Sequence, residues 1–414
     1  MKTHRILWLG CCLAVAGCGG DKSPGRNYDK EIDRLMSRMT LAEKIGQMNQ
    51  VSGKSNPTGV LKQYSSLEGR VREGKIGTVL NVTGAVTTRE LQRIAVEETR
   101  LGIPLIFALD VIHGYKTISP VPLAESCSWD METIEASARM AAVEASAAGL
   151  QWTFAPMVDI ARDPRWGRVM EGAGEDPYLG SCIARARVRG FQGGDLSASN
   201  TILACAKHFA GYGASEGGRD YNTVDISDQR LRELYLPPFK AAADAGAATF
   251  MNSFNELSGV PATGNRFLVK QILRGEWGCD GMVITDNVLT QYVNGPDGVL
   301  AGVSIYDAMM SFVTDTLPKY KNDPVIVTAM REACHHNLYA IANSCGMNGV
   351  GANTTIKVTR PTVVTMSIII ACASTFFCLL GIVMWIIGGI KFRKTEEYKA
   401  YKDFKKSLKA AKKA

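Results

Sequence analysis

Several polar residues able to do chemistry sit where short apolar runs stop. Asp286 closes the run Gly-Met-Val-Ile-Thr from Gly281, Lys207 and His208 close a run from Ile202, and Asp110 closes one from Pro104. Asp159 follows Thr153–Val158, and Asn255-Glu256 follow a run from Ala248. A carboxylate fixed at the mouth of a pocket can attack an anomeric carbon and form a covalent glycosyl intermediate. An adjacent Lys and His can hold sugar hydroxyls or balance that carboxylate. Each residue also has a plainer reading: Asp286 as the cap of a following helix, Lys207-His208 as a structural ion pair, and His113 as a packing residue. Lys207 as the Schiff-base lysine of an aldolase-like enzyme is a further alternative, which the adjacent His208 opposes. Arg162, Arg165 and Arg168 crowd one loop with Trp166. Some of these must pair with Asp163, Glu171, Glu175 or Asp176, leaving at least one to grip a sugar while Trp166 offers an apolar face.

Such residues need rigid elements behind them. The expected strands are 77–82, 104–111, 153–160, 202–209, 248–255 and 281–286, with a weaker one near 301–304. Helix-like stretches at 126–148, 178–192, 227–245 and 266–277 lie between them, the third opening on Ser227-Asp228 as a plausible N-cap. Alternation of this kind over roughly 250 residues predicts an α/β chain folded as a (β/α)8 TIM-like barrel, whose chemistry gathers at the C-terminal strand ends. A doubly wound sheet is the alternative, but no Gly-rich phosphate loop follows any of the strands.

The two ends of the chain read differently. Of 414 residues, 46% are hydrophobic and 21% charged, with a net charge of +7. From Lys391 onward, ten Lys and Arg face three acids, so the tail carries the whole excess. The remainder is close to neutral and offers no basic face to nucleic acid. Residues 1–18 read as a signal peptide: Lys2 and Arg5 precede an apolar run too short to span a bilayer. Its end, Val15-Ala16-Gly17-Cys18, resembles a bacterial lipobox, which makes Cys18 the expected lipidation site and 19–28 a flexible tether. No charge interrupts residues 361–390, long enough for a single transmembrane helix. The basic tail at 391–414 then points to a cytoplasmic C-terminus, with the main body on the extracytoplasmic side of a bacterial envelope. Between them, 29–310 is the expected barrel and 311–360 a helical extension. The six cysteines outside the signal and the span show no ligand spacing, so neither a metal nor a cofactor is expected.

Six ordered motifs carry a family resemblance. ALDVIHGYKT from Ala108, FAPMVDIARDPRWGR from Phe154, EGAGEDPYL from Glu171, AKHFAGYG from Ala206, RDYN from Arg219 and GMVITD from Gly281 resemble glycoside hydrolase family 3, above all its bacterial β-glucosidases. The resemblance runs from about Asp29 to Asp286. It implies a barrel and a retaining hydrolysis of terminal β-D-glucosyl residues of oligosaccharides or glucosides. By motif position it implies Asp286 as nucleophile, with Asp110, Arg168, Lys207, His208, Met251 and Phe254 binding the sugar.

Departures from that pattern concern the second catalytic group. The resemblance implies a general acid/base Glu on a sandwich domain after the barrel, yet only about 75 residues separate Asp286 from the apolar span. In the N-acetylglucosaminidase branch an Asp-Ser-His loop does this work, whereas here the loop reads ASEGGRDYN, without His. Relatives commonly carry Trp after the nucleophile, and here Asn287 stands there. Glu216 is the one in-chain substitute expected; otherwise a partner chain brings the acid/base. The alternatives are a carbohydrate-binding pseudoenzyme and a truncated or fused half-enzyme that needs a sandwich domain in trans.

Overall fold

A computed structural model describes residues 28–53, 67–286, 293, 295–307, 312–348 and 362–412. The expected signal peptide, Cys18 and all but the end of the tether lie outside these residues. Contacts divide the chain into two units, one up to Thr354 and one from Thr355.

The first unit is built on parallel strands. β1 (Asn49–Ser52), β2 (Thr78–Leu80), β3 (Ile106–Leu109), β4 (Trp152–Thr153), β5 (Cys205–Phe209) and β6 (Thr249–Asn252) come in order along the chain. A short hairpin, β7 (Glu256–Leu257) with β8 (Val260–Pro261), precedes β9 (Met282–Ile284) and β10 (Tyr306–Asp307). Five strands form one sheet in the order β10-β1-β2-β3-β4, and β5-β6-β9 form a second. Single parallel bridges, Trp152 with Leu203 and Ile284 with Ile305, join the sheets at both sides. One face of these strands packs Leu80, Ile106, Ala108, Trp152, Phe154, Cys205, Met251, Met282, Ile284 and Ile305 into a single apolar cluster. That interior explains why the apolar runs were legible: parallel strands covered on both faces need side chains that tolerate burial everywhere.

The helices outside are started by side chains and seated by small residues. Asp130 and Asp176 accept hydrogen bonds from the backbone N–H groups of Thr133 and Leu179, and Pro177 occupies a first-turn position where no N–H is needed. Ser227 caps its helix through the N–H of Arg230, as its sequence suggested. The helices Met131–Ala147 and Pro177–Gln192 pack so closely that a Cβ on Gly190 would lie 2.4 Å from the Glu135 carbonyl. The stretch at 267–276 is a π-helix.

Three strand expectations differ from the structure. The run at 153–160 forms a strand only at Trp152–Thr153, with an isolated bridge from Met157 to Lys207. β1 was not expected, because Asn49 and Gln50 look like loop residues. The weak strand near 301–304 lies instead at Tyr306–Asp307. Helix Pro324–Asn343, within the expected extension, is part of the first unit: Asn337 donates to the carbonyls of Gln47 and Ser304.

Among the described residues, the second unit contains two helices, Thr362–Phe392 and Glu396–Ala411. The first is 31 residues and about 46 Å long, with no buried side chain, and is long and apolar enough to cross a membrane.

Candidate active site

Lys207 and His208 are consecutive on β5, and in a regular strand their side chains would face opposite ways. The pairing of β5 with β6 shifts register between Lys207 and Phe209. Such an irregularity re-aims a side chain, and each of the two meets a carboxylate from the loops after β3 and β4. Lys207 Nζ donates to Asp110 Oδ1 at 2.7 Å, from the end of β3. His208 Nδ1 lies 2.9 Å from Asp159 Oδ2, which also accepts the His208 backbone N–H at 2.8 Å. The other imidazole nitrogen, Nε2, lies 3.4 Å from Asp286 Oδ2 beyond β9. Lys207, His208, Asp159 and Asp286 are buried, whereas the Asp110 side chain is 53% exposed. The floor is therefore closed and the opening lies on the Asp110 side.

Burial governs the protons here. It lowers the His208 pKa well below its ordinary value, helped by the charges of Arg168 and Lys207, so the ring is neutral. Burial also raises the Asp159 carboxyl to about 7, against the opposing effect of the His208 N–H bond. A neutral imidazole has one N–H to offer. When Asp159 is protonated it donates to Nδ1, and Nε2–H faces Asp286. When Asp159 is ionised, Nδ1–H turns to it and a lone pair faces Asp286. Asp159 thus decides whether the imidazole presents a donor or a lone pair to Asp286.

A further carboxyl belongs to this floor. Ile284 pairs with Ile305, so Asp286 and Asp307 are lateral neighbours with the same strand phase. Asp307 is buried, its N–H donates to Thr285 Oγ1 at 3.0 Å, and its pKa rises to about 7 through burial and the nearby charges of Asp286 and Asp110. Sequence reasoning missed it because Tyr306-Asp307 ends no apolar run of the expected kind.

The loop after β4 supplies the wall. Arg168 is held in a fork by Glu171, at 2.6 and 2.8 Å, and its guanidinium lies 5.5 Å from the Tyr212 ring centroid. Arg165 pairs with Asp163 and is exposed, so two of the three arginines make internal pairs, as expected. Trp166 corrects an expectation. It is 1% exposed, packs edge-on against Tyr212 and donates to Asp220 Oδ1 at 3.0 Å, so it supports the wall rather than offering a sugar-facing surface. Phe254 is half-buried against His208, Tyr212 and Tyr221, and Met251, opposite Lys207 in the β5–β6 pairing, is buried in the strand interior. Tyr221, 63% exposed beside Phe254, is an aromatic rim residue that the RDYN motif contained without revealing its place. Glu216 is exposed on the loop after β5, and hydrogen bonds engage its backbone: its N–H donates to the Thr223 carbonyl, and its carbonyl accepts from the Arg219 N–H and the Asn222 amide. His113 is exposed. Among the described residues, no group of His, Cys, Asp and Glu could hold a metal ion.

Residues 40–299 match the glycosyl hydrolase family 3 N terminal domain. The chain is 41% identical over 260 residues to a periplasmic beta-glucosidase of Salmonella typhimurium, covering 63% of this chain and 33% of that protein. It is 32% identical over 287 residues to a lysosomal beta glucosidase of Dictyostelium discoideum, covering 62% and 35%. Among solved structures, the beta-glucosidase from Listeria innocua in complex with glucose matches with a TM-score of 0.70 at 37% identity, over 77% of this chain and 47% of that one. The same protein in complex with isofagomine matches with a TM-score of 0.73, over 80% and 48%. The chain spans about a third of the length of these curated relatives and about half that of the solved ones.

Proposed function

Because the chain belongs to glycosyl hydrolase family 3, we propose that it is a retaining glycosidase acting on terminal β-D-glucosyl or related residues, with Asp286 as nucleophile. The observation that carries this reading is the alignment of Asp286, His208 and Asp159 beside the Lys207–Asp110 pair. The two sheets and their two joining bridges are then one closed (β/α)8 barrel, and the site is its C-terminal mouth. The sugar enters on the exposed side of Asp110. Its hydroxyls meet the Lys207–Asp110 pair and the Arg168–Glu171 fork, with Met251 and Phe254 against its apolar face. Asp286 attacks the anomeric carbon, the aglycone leaves with a proton, and water then releases the sugar.

The proton for the leaving group comes from a carboxyl roughly 5–5.5 Å from the nucleophile in a retaining site. Glu216 is the in-chain candidate on the loop after β5. A second domain or a partner chain reaching over the mouth is the alternative source. Cys18 is the expected lipid attachment point, and Thr362–Phe392 is the membrane span, with the barrel on the extracytoplasmic side. Resemblance to a periplasmic beta-glucosidase supports that location.

Incubation with 2-deoxy-2-fluoroglucosyl fluoride followed by peptide mass mapping tests the nucleophile. The expected result is a stable adduct on Asp286. No adduct, with glucose still binding in calorimetry, would replace this reading by that of a sugar-binding pseudoenzyme.

A further inference from the structure

Helix Glu396–Ala411 has two distinct faces. Tyr401, Phe404, Leu408 and Ala411 are spaced by three, four and three residues, which aligns them along one side of a helix. Tyr401, Phe404 and Leu408 are 54%, 63% and 47% exposed, so the two helices of this unit leave the stripe uncovered. Six lysines, at 399, 402, 405, 406, 409 and 412, occupy the neighbouring sector, and Lys405 Nζ lies 5.7 Å from the Tyr401 ring centroid. The acids are few and mostly placed at the start: Glu396 and Glu397 lie in the first turn, where they suit the helix dipole, and Thr395 caps the end by accepting the Tyr398 N–H.

Position in the chain selects what covers the stripe. Only Arg393, Lys394 and Thr395 separate this helix from the apolar helix Thr362–Phe392. The two are packed at their junction, with the Phe392 and Tyr398 rings 5.6 Å apart. If the longer helix crosses a bilayer, the shorter one begins at the headgroups. Aromatic residues partition to that layer, and lysine stems lie along apolar surface while their ammonium groups reach phosphate. Helices in proteins draw most of their stability from packing an amphipathic face, and here that face, with Phe404 and Leu408, is exposed.

We infer that Glu396–Ala411 is an in-plane amphipathic helix that docks on an anionic lipid surface next to the span. It buries its Tyr401–Phe404–Leu408 stripe at the level of the acyl boundary. This inference rests on the membrane reading of Thr362–Phe392.

The full chain is reconstituted into vesicles of phosphatidylcholine, with or without phosphatidylglycerol, and amide exchange of the tail is followed by mass spectrometry. Exchange of the tail amides should slow by about tenfold or more in the anionic vesicles. The slowing should survive high salt, and the pair Phe404→Ser with Leu408→Ser should abolish it while the protein resists alkaline carbonate extraction. Equal exchange in both vesicle types, with the protein still resisting extraction, overturns the docking and leaves the span standing. Slowing that disappears in high salt also overturns it, in favour of a loosely attracted solvated arm. Release of the protein by carbonate overturns both the span and the helix that depends on it.

Discussion

Asp286 and Glu216 are the two carboxyls on which the proposed chemistry turns, and their surroundings have little in common. Asp286 is buried at the end of a strand, with an imidazole 3.4 Å away that is itself held by Asp159. Glu216 is exposed on a loop, and hydrogen bonds engage its backbone. Positioned groups act strongly because their geometry and desolvation are settled before substrate arrives. The difference teaches that the nucleophilic half of the proposed pair is built into the strand framework, while the acid half is not built around Glu216.

The largest effect that would break this contrast concerns turnover of an activated aryl glucoside. Asp286→Asn should lower kcat/KM by at least about 10⁴-fold, whereas Glu216→Gln should change it by less than about tenfold. Similar losses in both variants would put the two carboxyls on an equal footing. Next comes the leaving group. Without a positioned acid, an alkyl glucoside should react about 10²–10⁴-fold more slowly than an aryl glucoside; near-equal rates would mean that an acid acts at this site after all.

A smaller effect sharpens the role of the imidazole. Asp159→Asn removes the carboxyl that sets the His208 proton, and should slow labelling of Asp286 by the fluoro-sugar by about 10–100-fold. Unchanged labelling would reduce the Asp159–His208 contact to packing.

The smallest expected effect is on stability. Asp307 has its folded pKa raised from 3.8 to about 7 by burial and the neighbouring carboxylates. Between about pH 4 and pH 7 the folded protein keeps this proton and the unfolded chain releases it. Its contribution to stability is therefore complete below pH 4 and is lost as pH rises to about 7. Asp307→Asn should flatten that decline and gain about 1–3 kcal/mol over the wild type at pH 8 in urea unfolding. Parallel pH profiles for the two proteins would remove Asp307 from the acidic floor.

Legibility in the sequence followed burial on both faces of a strand. β3, β5, β6 and β9 could be found because their apolar runs stop at Asp110, Lys207-His208, Asn255-Glu256 and Asp286, although β6 itself ends earlier, at Asn252. β1 could not, since Asn49 and Gln50 are buried polar residues satisfied in part by long-range bonds: Asn49 Nδ2 donates to the Lys75 carbonyl, and Gln50 Nε2 to Thr78 Oγ1. No local pattern announces partners 26 and 28 residues away. Trp166 failed for a related reason. An aromatic among arginines looks like a sugar platform, but Asp220, 54 residues on, satisfies its indole N–H and allows it to be buried.

By itself the sequence determined where the apolar runs before Asp110, Lys207-His208 and Asp286 stop, the helix start at Ser227, and the apolar helix followed by a lysine-rich tail. These follow from periodicity and capping, which act over a few residues. Tertiary structure alone decided that the consecutive Lys207 and His208, at a register shift on β5, each meet a carboxylate from a distant loop, Asp110 and Asp159. It alone set Asp307 beside Asp286, brought Asp159 to His208, and turned Trp166 inward. Each of these depends on which strands lie side by side, and therefore on contacts between residues far apart in the chain.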